Sequence, residues 1–502
     1  MKKLDGIRVT YTGFVAFGIR ILSIITGFVF TLIVTRQLSP IEFGTWGLIN
    51  GVIVYAVIIH PIISYWSLRE TARGEDSGKT AVVSTGMLSV IGIGIYLIIA
   101  YVVGLQSNAD VSILLFAGIL VPVLFINEAL GSIISGFKPY VKSLGFLVFE
   151  IIKIPVALLL VYYLELGLEG AILATFFAYL ASSIFLAKNA REKLSVKLQR
   201  SYIKKWLKIF WVPLYRKIPS LISMSDVIVF SAITGSVVGV AYYTAARTIG
   251  FLVWHSRAIG IGVYPKLLSG GHEKTLQNNL EIFFYIAIPL VSLSITFAKP
   301  GLFVLNPLYA VAATVVILLS IRQFLTSLNE LLFAALQGIE KVDSDIDSTY
   351  KDYVKSKLIL YPTFQMVRHA IYIGSLVIIL IIMGMEQKVE IELVTYWAII
   401  GLIVEIPLSI YIIRLSNKSF SIKLNWKRLL KYFFTAVVVF SSTYFIMEQY
   451  LEYQESIFDF LPRAAIFAVG SIIAYIGITY LIEEKTRSLV KGAIKEIKKK
   501  KR

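Results

Sequence analysis

Apolar residues run along this chain in long blocks, each closed by a short polar or glycine-containing turn. A helix rises about 1.5 Å per residue, so roughly 20 apolar residues cross a hydrocarbon core about 30 Å thick. The blocks therefore predict membrane-spanning helices at residues 11–34, 44–65, 80–104, 112–136, 143–164, 167–187, 209–233, 238–264, 280–304, 311–337, 358–383, 392–413, 430–448 and 461–482. Fourteen spans put both termini on the same side. The first block is too long for the apolar core of a cleaved signal, carries Arg20 inside it and ends at Arg36 with no small-residue cleavage site, so it is expected to remain as a helix.

The pattern repeats. Residues 127–138 read NEALGSIISGFK and residues 329–340 read NELLFAALQGIE, an offset of 202, and both close a long apolar block. A second register aligns LSPIEFGTW at 38–46 with ITGSVVGVA at 233–241, setting Gly44 on Gly239, His60 on His255, and Arg20 on Tyr215 beside Arg216 and Lys217. These offsets predict an N-lobe of six helices (1–187), a basic linker (188–208), a C-lobe of six helices (209–413), two additional helices (414–482) and a basic tail (483–502). Six is even, so the copies keep one orientation and are related by a pseudo-two-fold axis along the membrane normal. Membrane proteins built from like halves place their substrate between them, which makes transport by alternating access the expected activity.

Composition narrows this further. The chain of 502 residues is 57% hydrophobic and 16% charged, with a mean hydropathy of +0.77, against about 25% charged residues in a soluble domain. The net charge of +18 is distributed unevenly among the connections. Those on the side of the termini are rich in Lys and Arg, whereas the opposite side holds only Arg36 and Lys388. This asymmetry predicts cytoplasmic termini and a multi-pass protein of the cell membrane. The linker, with Arg191, Lys193, Lys197, Arg200, Lys204 and Lys205, and the tail from Lys498 to Arg502 are read as topology signals, with binding of a partner enzyme or an anionic lipid head group as the alternative. No nucleic-acid-binding module accompanies them, so nucleic acid is not expected as a partner.

The chain contains no cysteine and four histidines, His60, His255, His272 and His369, without metal-ligand spacing. A thiolate site and a cysteine nucleophile are thereby excluded, and a catalytic metal is not expected. No Walker motif is present either. No cofactor is expected, and the energy for transport is assigned to a proton or sodium gradient, the membrane potential or the substrate gradient.

Cations inside the spans are the candidate chemistry. A Lys or Arg near a helix centre costs about 2.5–3.5 kcal/mol to insert, so several of them predict a wet, anion-accepting interior. Arg20, Arg216, Lys217, Arg247, Lys153 and Arg368 all lie deep in their spans and are the leading candidates for a cationic cavity. An arginine fork matches a diphosphate in a bidentate manner, whereas lysine supplies a point charge. Glu150 stands three residues before Lys153, so that lysine is equally placed for an internal ion pair. Arg257, His60, His255, Asp226, Glu128 and Glu330 form a secondary group, in which Glu128 and Glu330 are repeat-equivalent and adjoin Asn127 and Asn329.

The residues Thr35-Arg36-x-Leu38-Ser39-Pro40-x-x-Phe43-Gly44-x-Trp46 after the first span, and the Asn-Glu…Gly-Phe-Lys segment ending the fourth, resemble Wzx-type polysaccharide flippases of the MOP exporter superfamily. That resemblance implies two six-helix lobes about a central cavity, as in MATE-like transporters, with two peripheral C-terminal helices. It also implies movement of a polyprenyl- or dolichyl-linked oligosaccharide between leaflets, with membrane lipids and polysaccharide-assembly enzymes as partners. The first and eighth helices then become the expected gate, with Gly27, Gly250 and Gly260 as bending points. The alternative is a MATE-like ion-coupled multidrug exporter, which expels cations using intramembrane carboxylates; Glu128, Glu150, Asp226, Glu330 and Glu405 are outnumbered here by basic residues. An enzyme is not expected, because the longest outer connection is only residues 449–460.

Overall fold

A computed structural model describes residues 9–208, 210–215, 217–262, 273–339, 356–385 and 389–488. Its contacts divide the chain into two compact units, Met1–Ala241 with Ile373–Glu390, and Tyr242–Tyr372 with Ile391–Arg502. Among the described residues the regular structure is helical and no strand occurs.

The first unit begins with α1 (Val9–Gln37) and α2 (Pro40–Val57), joined by the Leu38-Ser39-Pro40 turn. The sequence there is a helix start. Ser39 Oγ accepts from the Glu42 amide at 3.2 Å, Glu42 accepts from the Ser39 amide at 2.9 Å, and Pro40 occupies the first turn, where its missing donor is not needed. Gly44 follows because a Cβ there would collide with the Val237 carbonyl. Then come α3 (Pro61–Ala72), α4 (Gly78–Gln106), α5 (Val111–Phe116), α6 (Leu120–Phe137), α7 (Pro139–Ala157) and α8 (Gly167–Asn189). Two short helices, α9 (Arg191–Leu194) and α10 (Arg200–Lys208), occupy the linker, and α11 (Trp211–Tyr215) leads to α12 (Ile218–Thr234). The core gathers Ile62, Ile63, Leu130, Ile133, Ile134, Leu186 and Trp206 from α3, α6, α8 and α10.

The second unit takes the body of α13 (Val238–Gly250), a 3-10 helix Phe251–Gly262, α14 (Glu273–Thr296), α15 (Ala298–Leu305), α16 (Ala313–Gly338), the first part of α17 (Lys357–Met385), α18 (Glu390–Phe420), α19 (Trp426–Tyr450) and α20 (Ile457–Ile482). Leu280, Phe283, Leu328, Leu332, Leu336 and Leu408 form its core. Helices α19 and α20 are fastened to α14 by charge: Glu281 is paired with Arg428 and Lys485, and Glu483 with Arg428 and Lys431.

Several expected spans are not single helices, and proline accounts for three of the breaks. A proline lacks the N–H that would bond the carbonyl four residues earlier. Helix α2 ends at Val57, four before Pro61; α11 ends at Tyr215, four before Pro219; α14 ends at Thr296, four before Pro300. The spans expected at 44–65, 209–233 and 280–304 are accordingly divided. Among the described residues eleven helices are long and apolar enough to cross a membrane, with Ile25–Gln37 and Ile218–Thr234 as shorter apolar helices. The span expected at 238–264 appears as α13 followed by the 3-10 helix. Apolar side chains cover much of the outside, including Phe458, Leu481, Ile466 and Met87. That surface suits a multi-pass membrane protein and no water-soluble one.

Repeat positions carry like structure in each unit. His60 lies where α2 gives way to α3, and His255 lies inside the 3-10 segment that ends α13, so the second helix of each copy is irregular at its histidine. Asn127 on α6 donates to Ser182 and Ser183 of α8 at 3.0 and 3.1 Å. Asn329 on α16 donates to Glu405 and Ser409 of α18 at 2.8 and 2.9 Å. In each unit the asparagine of the Asn-Glu pair thus bonds its helix to another helix later in the chain.

Candidate functional site

Five sequence candidates fall in the second unit, and they are contiguous. The α13 helix presents Arg247 four residues before Phe251, and the 3-10 helix continues with Trp254, His255 and Arg257. The Arg247 guanidinium lies 4.7 Å from the Phe251 ring centre, Phe251 and Trp254 stack at 6.1 Å, and the Arg257 guanidinium lies 4.2 Å from Trp254. Cation and aromatic face attract through the ring quadrupole, which holds the row in order. His255 meets Trp254 edge-on. Arg257 then bridges to Glu330 of α16 at 2.6 Å. All of these side chains are half-buried. Arg247 has no carboxylate partner among the described residues, which leaves its charge available to an anion.

Behind this strip lies a buried ionic cluster. Arg368 of α17 pairs with Glu405 of α18, and a guanidinium nitrogen also reaches His369 Nε2 at 2.7 Å. Glu405 accepts the Asn329 amide as well. Arg322 is set against Gly401, where any Cβ would strike the guanidinium, and lies 4.7 Å from the Tyr372 ring centre. Glu330 is within electrostatic reach of both Arg368 and Glu405, so strip and cluster form one charged row.

The first unit holds a similar row. Lys153 and Glu150, both buried, pair at 2.9 Å, and the ammonium lies 4.9 and 4.7 Å from the ring centres of Phe30 and Phe149. Phe149 packs on Tyr179 at 4.4 Å, and Tyr179 feels both Glu128 and Glu150. His60 bonds Ser64 at 2.9 Å and lies within electrostatic reach of Glu128 and Lys217. Lys217 is exposed at the start of α12. Asp226 is buried and accepts from the Val227 amide at 2.9 Å. Arg216 and the side chain of Arg20 lie outside the described residues.

The internal pairing of Lys153 anticipated from its spacing with Glu150 is present, and Arg368 is neutralised in the same way by a residue the spacing did not reveal. Glu405 is 37 positions away and meets Arg368 only through the packing of α17 on α18. Phe251 and Trp254 were legible in principle, since they recur at helical spacing after Arg247. No group of His, Cys, Asp or Glu suited to a metal ion occurs among the described residues.

No protein-family model matches the sequence, and no curated protein matches it either. Solved structures do match its fold. The lipid II flippase MurJ in an inward closed conformation is 14% identical over 95% of this chain and 99% of that one, with a TM-score of 0.63. A multidrug resistance MATE family transporter of the MOP superfamily in an inward-facing conformation is 16% identical over 82% of this chain and 99% of that one, with a TM-score of 0.58. Its outward-facing counterpart is 16% identical over 83% and 97%, with a TM-score of 0.50. At these identities the likeness establishes the fold, which is the one adopted by both a lipid-linked flippase and a multidrug transporter.

Proposed function

We propose that the chain is a flippase that carries a polyprenyl- or dolichyl-(di)phosphate-linked oligosaccharide from the cytoplasmic to the outer leaflet of the cell membrane. It works by alternating access through a cationic central cavity and serves surface polysaccharide or glycoconjugate synthesis. The observation that carries this reading is the strip Arg247–Phe251–Trp254–Arg257, in which guanidinium groups alternate with aromatic faces and Arg247, unlike the Glu330-paired Arg257, has no carboxylate partner among the described residues. Guanidinium groups suit a (di)phosphate, and flat apolar rings suit the C–H faces of sugars. A cation exporter has the opposite need, for unpaired carboxylates; here Glu150, Glu330 and Glu405 are each tied to a basic side chain. The prenyl tail stays in lipid throughout, because each methylene returned to water costs about 0.8 kcal/mol.

The test uses proteoliposomes holding a labelled lipid-linked oligosaccharide whose leaflet is read by an impermeant reagent. Arg20→Ala, Arg216→Ala and Arg247→Ala are expected to abolish translocation while the protein still inserts and folds. The corresponding Lys variants retain part of the rate, since charge remains and the fork is lost. Translocation at the parent rate by all three alanine variants overturns the anionic-cargo reading, and export of an organic cation by the same vesicles puts the multidrug exporter in its place.

A further inference from the structure

The linker helix α10 is held down by one face and bare on the other. Trp206 is fully buried and donates through its indole nitrogen to Glu70 at 3.1 Å, while Lys205 takes the other Glu70 oxygen at 3.0 Å. The Tyr202 hydroxyl bonds Glu75 at 2.5 Å, and the Gln199 amide bonds the Thr80 hydroxyl at 2.9 Å. Glu70 is near the end of α3 and Thr80 near the start of α4, so α10 lies across the turn that joins α3 to the apolar, membrane-length α4. A helix in that place lies at the boundary where hydrocarbon gives way to head groups.

Its outer face carries two kinds of side chain with nothing to meet. Arg200, Lys204 and Lys208 are exposed and have no acidic partner among the described residues, Lys205 having taken Glu70. Leu207 is 53% exposed, and Phe210 and Trp211 immediately beyond the helix are 44% and 50% exposed. On a helical wheel Leu207 sits beside Arg200 and Lys204, so the apolar edge and the cationic stripe adjoin. Apolar and aromatic residues bordering Lys and Arg are the chemistry of an interfacial helix on an anionic membrane surface.

We propose that α10 together with Phe210 and Trp211 is a binding site for anionic phospholipid head groups, Arg200, Lys204 and Lys208 meeting the phosphates while Leu207, Phe210 and Trp211 enter the acyl boundary. The occupant is a lipid and not free phosphate, because the exposed apolar side chains gain only from acyl chains. The site tethers α10, and with it the turn between α3 and α4, to the leaflet.

The full-length protein is reconstituted into phosphatidylcholine vesicles in which either the zwitterionic lipid or a minor fraction of phosphatidylglycerol bears brominated chains. The Trp211 signal is isolated as the difference between the parent and Trp211→Phe. Trp211 is expected to be quenched preferentially by the brominated anionic lipid. Each basic residue near the surface is worth about fivefold in this preference, so the triple variant Arg200→Gln, Lys204→Gln, Lys208→Gln brings it close to parity. Added inorganic phosphate leaves the preference unchanged, and so does Lys418→Gln with Lys423→Gln, which removes two exposed charges elsewhere. Equal quenching by both lipids in the parent, absence of quenching by either, or displacement by inorganic phosphate overturns the proposal. So does an equal loss in the Lys418, Lys423 control.

Discussion

Arg368 and Arg247 are both deep in the sequence pattern, yet they answer to different physics. Arg368 is buried against Glu405, and removing one partner of a buried pair strands the other charge, at a cost of about 3–5 kcal/mol. Arg368→Ala and Glu405→Ala are each expected to lower the unfolding temperature in detergent sharply, whereas the apolar pair Arg368→Met with Glu405→Leu recovers most of the loss. Equal stability of the singles and the double variant removes the pair from the account. Arg247 rests on an aromatic ring without a carboxylate partner among the described residues, so Arg247→Ala is expected to lower translocation and leave the unfolding temperature unchanged. Glu483 gives a pH-dependent case outside the spans. Burial alone would raise its carboxyl, but hydrogen bonds from Arg428 at 2.9 Å and Lys431 at 3.0 Å outweigh this and hold it below the ordinary value. A carboxyl lowered on folding adds stability that is fully present above its unfolded pKa and is lost as pH falls through the folded one. The stability difference between the parent and Glu483→Gln is therefore expected to be constant near neutrality and to close in acid. A difference that grows in acid reverses the sign of this assignment.

Elements are set by the placement of prolines and glycines. The three divided spans each stop four residues before a proline, so the information was in the sequence, but hydropathy averages over it and reads the block as continuous. Glycines at α1 and α2 play opposite parts. At Gly44 a Cβ meets the Val237 carbonyl, so Gly44→Ala forces that turn to move, with a cost of about 1–3 kcal/mol in unfolding measurements. At Gly27 no atom lies within 4 Å of the added carbon. Gly27→Ala should therefore raise helix stability by about 0.5–1 kcal/mol. If α1 bends there during transport, the same variant slows translocation; unchanged translocation rules out that bending point. The break at Gly250, an expected bending point, was legible, but the 3-10 form of residues 251–262 that follows it was not, because its geometry depends on packing against α14 and α16.

For the whole molecule, the absence of cysteine makes topology directly measurable. Glu455→Cys is expected to react with an impermeant maleimide on intact cells and Ser195→Cys only after permeabilisation; the reverse result inverts the charge-based orientation. The sequence by itself determined the helical membrane class and the basic side chains inside the apolar blocks, because each is written in local patterns of about one helix length. It also anticipated Lys153–Glu150, a pair within one turn of a single helix. Only the tertiary structure decided which cations are paired with distant carboxylates. Arg368 finds Glu405 across 37 residues and Arg257 finds Glu330 across the packing of two helices. Such pairings are fixed by which faces of distant helices meet, and hydropathy and spacing along one helix carry no record of that.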